Sequence, residues 1–119
     1  MAIETLTLST GAQQDIITVP AGKRYAITNI MVCNTYSPSG ASPAANTADF
    51  DMHLIPNGDS LSNAITCVIR ELELPAGETF TFDSEKIVLE AGDKISFVAN
   101  PDIGGNLTNL AATVSYLEV

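Results

Sequence analysis

Short runs of alternating apolar and polar residues, separated by tight-turn signals, recur along the whole chain and constrain its fold more than any other feature. Residues 49–55 alternate most cleanly, with Phe50, Met52 and Leu54 facing one way. Alternation with a period of two is typical of strands that bury one face. No stretch shows the 3.6-residue period of an amphipathic helix. The pattern therefore predicts an all-β protein.

Nine segments are predicted to be strands. The longest carries apolar residues on both faces, including Met31 and Cys33 on one face and Ile30 and Val32 on the other, which predicts a central strand covered on both sides. The predicted strands are residues 3–8, 15–19, 24–35, 49–55, 64–74, 79–82, 86–89, 95–99 and 110–117.

Four glycine-containing turns separate these strands, at residues 20–22, 57–59, 75–77 and 90–92. Proline presets the start of such a turn and glycine accepts the positive φ that closes it. A bulge at residues 70–71 is expected to keep the following apolar residues in register. A chain of this length can bury a core without disulfide or metal support. We predict one antiparallel β-sandwich, jelly-roll-like domain of about eight to nine strands over residues 1–119.

The charge balance restricts the partners. Five basic and 14 acidic residues give a net charge of −9. Nucleic-acid binding and docking on anionic membranes both depend on basic clusters, so neither is expected. No secretory signal or membrane-spanning segment is expected either. Cys33 and Cys67 are interpreted as buried free thiols of a chain made in a reducing cytoplasm, with a disulfide open only if their strands are neighbours.

Two side-chain groups could hold a cation on paper. Asp49, Asp51 and His53, the single histidine, share one strand face. We interpret them as a solvated polar face, because no second histidine completes a ligand set. The oxygens of segment 100–109 suit Ca²⁺ but lack the dense carboxylates of a calcium loop. We expect no metal and no other cofactor.

Carboxylate pairs such as Glu71 with Glu73, or Glu4 with Glu118, could serve a glycosidase in principle. Nothing distinguishes them from surface charge, and the chain has no tryptophan to stack on a sugar. We expect no enzymatic activity.

Segments 36–48 and 100–109 depart from the strand-and-turn rhythm and are rich in loop-forming residues. Loops on a rigid β scaffold commonly carry binding function. We predict that both loops contact a partner. The candidate contact residues are Tyr36, Ser37, Pro38, Ser39, Asn100, Asp102 and Asn106.

Several motifs occur in an order that resembles a known family. The chain has a Pro-Ala-Gly turn and a long strand ending in Asn-Thr at residues 19–35. Leu-Pro-Ala-Gly-Glu-Thr-Phe follows at 74–80, Leu-Glu-Ala-Gly-Asp at 89–93 and a final strand at 112–119. From residue 3 to residue 119 this order resembles small virion structural proteins of tailed bacteriophages, most closely those of phages that infect marine cyanobacteria.

The resemblance implies a compact antiparallel sandwich made in the host cytoplasm and present in many copies on the virion. It implies binding to other virion proteins, either the major capsid protein or tail proteins, and assembly into homo-oligomers such as trimers. We favour a capsid decoration (cement) protein that clamps capsid subunits together. No catalytic residues come with the family.

Two alternatives stay open. The same sandwich could be a tail, neck or fibre component, acting as an adaptor or a receptor-proximal knob. It could also be a soluble glycan-binding domain, with Tyr25, Tyr36 or Tyr116 stacking on the sugar and Tyr36 the residue expected to be exposed.

Overall fold

The computed structural model describes residues 2–8, 12–36, 47–82, 87–100 and 110–119 and arranges them in two packed antiparallel sheets without a helix. The all-β prediction is confirmed, and none of the described residues belongs to a helix that could cross a membrane. The strands are β1 (Ala2–Leu8), β2 (Gln14–Thr18), β3 (Tyr25–Asn34), β4 (Ala48–Ile55), β5 (Cys67–Leu74), β6 (Thr79–Phe82), β7 (Ile87–Leu89), β8 (Lys94–Asn100) and β9 (Leu110–Glu118).

Strands pair from the two ends of the chain towards its middle. β1 pairs with β9, β2 with β8, β3 with both β6 and β7, and β4 with β5. Sheet A has the order β1-β9-β3-β6, with β7 also on β3, and sheet B has the order β2-β8-β4-β5. A long hairpin rolled into two sheets in this way is a jelly-roll arrangement. The predicted antiparallel, jelly-roll-like sandwich of about eight to nine strands is confirmed.

The four predicted turns form at the predicted positions, each around its glycine. In each of the four turns the backbone N–H of the fourth residue donates to the carbonyl oxygen of the first, at 3.0–3.2 Å, and the glycine has a φ between 79° and 88°. Positive φ at the third position is the mark of a type II turn. Three of these turns, at residues 20–22, 75–77 and 90–92, carry the chain from one sheet to the other, and the fourth lies between β4 and β5 of sheet B.

The core lies between the inner faces of the two sheets. Phe50 and Phe97 of sheet B pack together with ring centroids 5.9 Å apart, and Phe80 of sheet A meets Phe50 at 6.1 Å. Edge and tilted aromatic contacts of this kind add to the free energy gained by burying the rings. Leu8, Ile30, Val32, Leu110 and Val114 of sheet A and Met52, Ile95 and Ala99 of sheet B complete the fully buried centre.

The prediction that both faces of β3 are covered is wrong. Thr28 is an extra residue in the pairing with β9, because Ile27 pairs with Tyr116 and Asn29 pairs with Ser115. This bulge changes the alternation, so that Ile27 and Ile30 both face the core. The outer face of β3 is uncovered by the described chain, and Met31 there is 38 % exposed.

β5 starts later than predicted. Residues 63–66 form a turn closed by the backbone N–H of Thr66, which donates to the carbonyl oxygen of Ser62 at 2.9 Å. Ile65 is therefore 80 % exposed instead of continuing the strand. The predicted bulge at residues 70–71 is confirmed by a register shift against β4 and by a φ of 50° at Glu71.

The two cysteines are free thiols, as interpreted from the sequence, but both are partly exposed, so the expectation that they are buried is wrong. Cys33 lies on β3 of sheet A, and Cys67 lies on β5 of sheet B. Their strands are not neighbours, which removes the condition on which a disulfide depended.

Candidate functional site

The described ends of the two predicted contact loops lie at one end of the sandwich. Asn34 at the end of β3 pairs with Leu110 at the start of β9. Asp49 near the start of β4 pairs with Asn100 at the end of β8. Both loops therefore leave and re-enter the fold at the same end. Ser37, Pro38, Ser39, Asp102 and Asn106 lie outside the described residues.

The base of the first loop is held by Asn34, which is fully buried. Its side-chain Nδ2 donates to the carbonyl oxygen of Leu74 at 2.9 Å, and its Oδ1 accepts from the backbone N–H of Tyr36 at 3.1 Å. Its backbone N–H donates to the carbonyl oxygen of Glu78 at 2.9 Å. Tyr36 itself is partly buried, so the expectation that it is exposed holds only in part. The loop starts from a fixed point.

The base of the second loop is held by a side-chain pair across sheet B. Asn100 Nδ2 donates to Asp49 Oδ1. On its other side Asp49 faces Glu73 of β5. Like charges directly opposite one another destabilise a sheet, and the amide of Asn100 offsets that repulsion. Asn100 is therefore a structural anchor of the loop that follows it.

Asp51 and His53 share a face with Asp49, as predicted, but they are not solvated. They are only 3 % and 0 % exposed, respectively. The bulged strand β5 and the turn before it supply polar partners for both side chains. The interpretation of a solvated polar strand face is thus wrong for these two residues. The alternation of β4 revealed the shared face, whereas the bulge and turn that cover it depend on tertiary pairing.

Asp51 holds the bulge of β5. Its Oδ1 accepts the backbone N–H of Glu71 at 2.6 Å, and its Oδ2 accepts from Arg70 Nη1 at 2.8 Å. Glu71 is the residue in the left-handed conformation. The carboxylate thus satisfies a backbone donor that the bulge removes from the ladder. The role of Asp51 in this contact is structural.

His53 is tied to the turn that precedes β5. Its Nδ1 lies 2.8 Å from Thr66 Oγ1, and that hydroxyl donates to the carbonyl oxygen of Ser62 at 3.0 Å. The hydroxyl has one proton, so His53 Nδ1 carries the hydrogen that joins the two residues. His53 Nε2 is buried without a hydrogen-bond partner. Burial lowers the pKa of His53 below its usual value of 6.5; the charge of Asp51 opposes the shift and that of Arg70 adds to it. The ring is therefore a neutral part of the structure.

Asp15 and Ser96 join β2 to β8 on the same outer face of sheet B. Ser96 Oγ donates to Asp15 Oδ1 at 2.5 Å, and Gln13 Nε2 donates to the same oxygen at 2.8 Å. Burial alone raises the pKa of Asp15, but these hydrogen bonds and the charge of Lys94 outweigh it and leave the pKa below 3.8. The carboxylate is stabilised in its charged form.

The described residues bring together no group of three or more His, Cys, Asp or Glu side chains that could hold a metal ion. The Asp49, Asp51 and His53 side chains are each engaged with a different neighbour instead. The oxygens of Asp102, Asn106 and Asn109 lie outside the described residues.

The tyrosines named for glycan stacking occupy two places. Tyr25 and Tyr116 pack on each other, with ring centroids 4.4 Å apart, and Tyr116 Oη lies 3.5 Å from Glu4 Oε1. Burial, with Tyr25 and the charge of Glu4, raises the pKa of Tyr116 above 10.0. The pair lines a shallow groove of about 280 Å³ together with Glu4 and Ile16. Tyr36 lies at the opposite end of β3 from Tyr25.

The outer face of sheet A is a surface that the sequence reasoning missed. The pairing of β1, β9, β3, β6 and β7 brings their outward residues into rows across the sheet. One row crosses the sheet through Thr5, Thr113, Met31 and Thr81. The chain has 19 charged residues, and none of them stands at a described outward position of these five strands. The sequences of β1 and β9 carry a signal for this uncharged surface, because Thr, Ser and Ala occupy most positions between their core residues.

Comparison with known proteins finds no match to this chain among family models, curated protein sequences or solved structures.

Proposed function

We propose that this chain is a non-enzymatic virion structural protein of a tailed bacteriophage, and specifically a decoration protein that binds between major capsid protein subunits. The observation that carries the proposal is the convergence of the two long connections at one end of a rigid sandwich, where Asn34 and the Asp49–Asn100 pair hold their bases. A clamp needs this arrangement, because several loop segments must reach neighbouring subunits from one fixed platform.

Two further considerations support it. Jelly rolls occur among viral capsid and lectin domains, although a fold alone does not decide a function. The order of the Pro-Ala-Gly and Glu-Ala-Gly turns resembles phage virion proteins, and it is this resemblance that points to a virion. Asp51 and His53 carry the side chains on sheet B that are best suited to acid–base chemistry. Both are engaged in holding β5, which supports a non-enzymatic function.

In this function the loop end touches the shell and the acidic remainder faces solvent. A net charge of −9 keeps many closely spaced copies soluble and discourages contacts with unrelated surfaces. Tyr36 and Asn100 fix where the loops begin, and the loop residues Ser37, Pro38, Ser39, Asp102 and Asn106 make the contacts. The partners are capsid subunits.

The first experiment is cryo-electron microscopy of the phage particle that carries this chain. Density at regular sites on the head, with the loop end against the shell, is the expected result. Density confined to the tail, neck or fibres would replace the decoration function by the tail alternative. Absence from the particle would overturn both and return attention to glycan binding, which a glycan array with the Tyr36→Ala variant would then test.

Loop variants test the contact assignment separately. Replacing residues 38–45 and 102–108 by short glycine linkers should abolish incorporation into particles, while circular dichroism and the melting temperature show that the sandwich is intact. The matched control is Asp59→Lys in the exposed turn at the opposite end, which should leave incorporation unchanged. Normal incorporation of a folded loop variant would contradict the assignment.

A further inference from the structure

We propose that the outer face of sheet A is the surface through which two copies of this chain pack face to face. The inference is independent of the virion function, since it concerns a different surface and a different partner. It rests on the exposure, the charge and the size of that face.

Large apolar side chains are exposed across the whole width of the face. Ile3 of β1 is 64 % exposed, Leu117 of β9 is 42 % exposed and Val88 of β7 is 54 % exposed. Met31 lies between them on β3 and is 38 % exposed. No described residue covers them. Apolar side chains gathered on one face, unlike isolated surface ones, indicate contact with a partner.

The charge distribution selects the kind of partner. Because no charged residue stands at the described outward positions, a charged partner surface would lose its hydration here without gaining a counter-charge. A surface of hydroxyl, methyl and thioether groups needs a neutral surface of the same kind. A second copy offers that surface, and a two-fold axis brings each face against itself.

The size of the face is sufficient for a reversible pair. β3 has 10 residues, so the face is about 33 Å long at 3.3 Å per residue. Four strands spaced about 4.8 Å apart make it about 19 Å wide. Because β1, β6, β7 and β9 are shorter than β3, the face covers about 500 Å², and two faces bury about 1,000 Å², which reaches the size expected of a biological interface.

The pairing has a distinctive electrostatic consequence. Each copy carries a charge of −9, and no charged residue stands at a described position within the contact. Salt screens charges over about 10 Å at 0.1 M and about 3 Å at 1 M. The dimer should therefore tighten as NaCl rises, whereas an interface held by ion pairs would weaken.

Sedimentation velocity over a range of protein concentrations tests the pairing. We expect a concentration-dependent monomer–dimer equilibrium, and Met31→Glu should weaken it at least about tenfold because each copy then brings a carboxylate into an uncharged contact. The matched control is Ile65→Glu, which also replaces an exposed apolar residue by an acid but lies beside sheet B. It should leave the equilibrium unchanged. A monomer at all concentrations, or equal weakening by both variants, would overturn the proposal.

The two native cysteines give a second test that needs no substitution. Cys33 lies on the outer face of sheet A and Cys67 lies on sheet B, and both are partly exposed. The alkylation rate of Cys33 should fall as protein concentration rises, while that of Cys67 stays constant. Equal protection of both thiols, or protection of Cys67 alone, would contradict the assigned face. A head-bound protein that is monomeric in this assay would overturn the pairing and leave the virion function standing.

Discussion

Replacing Gly92 by alanine tests how tightly the end of the sandwich opposite the loops is packed. Gly22, Gly58 and Gly92 have nearly the same backbone conformation, with φ of 79°, 88° and 86°. A Cβ at Gly22 or Gly58 would meet no atom within 4 Å. A Cβ at Gly92 would overlap the side chain of Asn57, whose own Cβ would be 2.8 Å away. The three sites therefore separate backbone strain from steric overlap.

The expected decrease in the free energy of unfolding follows from that comparison. A left-handed conformation costs an L-residue about 1–2 kcal/mol, and the lower entropy of the unfolded alanine chain returns about 0.4–1 kcal/mol. Gly22→Ala should thus lower the free energy of unfolding by about 1 kcal/mol. Gly92→Ala should lower it by about 2–4 kcal/mol, because overpacking adds about 1–3 kcal/mol. For a chain of this length each kcal/mol corresponds to about 4 °C in Tm.

The overlap cannot be relieved by moving the end of a flexible side chain alone. Asn57 Cβ is close to the backbone, and the backbone N–H of Asn57 donates to Asp93 Oδ1 at 2.8 Å. The same carboxylate accepts the backbone N–H of Glu90 at 2.9 Å. Moving Asn57 away from the introduced methyl group would therefore disturb a contact that joins two turns.

Urea denaturation of the single and double variants is the assay. In the Asn57→Gly background the extra cost of Gly92→Ala should disappear, leaving the loss seen at Gly22. Equal midpoints for Gly92→Ala and Gly22→Ala would refute the steric reasoning. So would an undiminished cost of Gly92→Ala in the Asn57→Gly background, because the clashing atoms are then absent.

Three further predictions concern sheet B. Glu71→Gly should raise the free energy of unfolding by about 0.5–1 kcal/mol in urea denaturation, because glycine relieves the left-handed strain. In the regular part of β5, by contrast, Glu73→Gly should be less stable than Glu73→Ala by a similar amount. Asp51→Ala should lower the free energy of unfolding by about 2–3 kcal/mol in the same assay, because the backbone N–H of Glu71 and the side chain of Arg70 then lose their partner. Asp51→Asn should lower the free energy of unfolding by less. For His53 the folded pKa is below the unfolded value of 6.5, so the unfolded chain binds more protons and stability should fall as pH drops from about 7 through the folded pKa. Thermal melts should show that Tm falls with decreasing pH in this range in the native protein, and that it falls less steeply in His53→Gln.

The strands and turns were predictable because their signals are local. Alternation in β4 identified its two faces, and the glycines of the type II turns marked the ends of neighbouring strands. The environment of His53 was not predictable, since its cover comes from Thr66 in a turn closed by a contact with Ser62. The face of β3 was misassigned because one extra residue, Thr28, shifts the alternation only once β9 is paired with it.

The two outer faces of the sandwich differ in the charge of their side chains and in how those side chains are bound. On sheet B, several outward polar side chains already bind within the chain, as in the Asp51–Arg70 and Asp15–Ser96 contacts. A partner that bound these polar groups would have to break contacts already made. On sheet A the outward side chains at the described positions have no charge to satisfy, and no described residue covers Met31 on its outer side. Association of two copies is thus favoured on the face where it costs least desolvation.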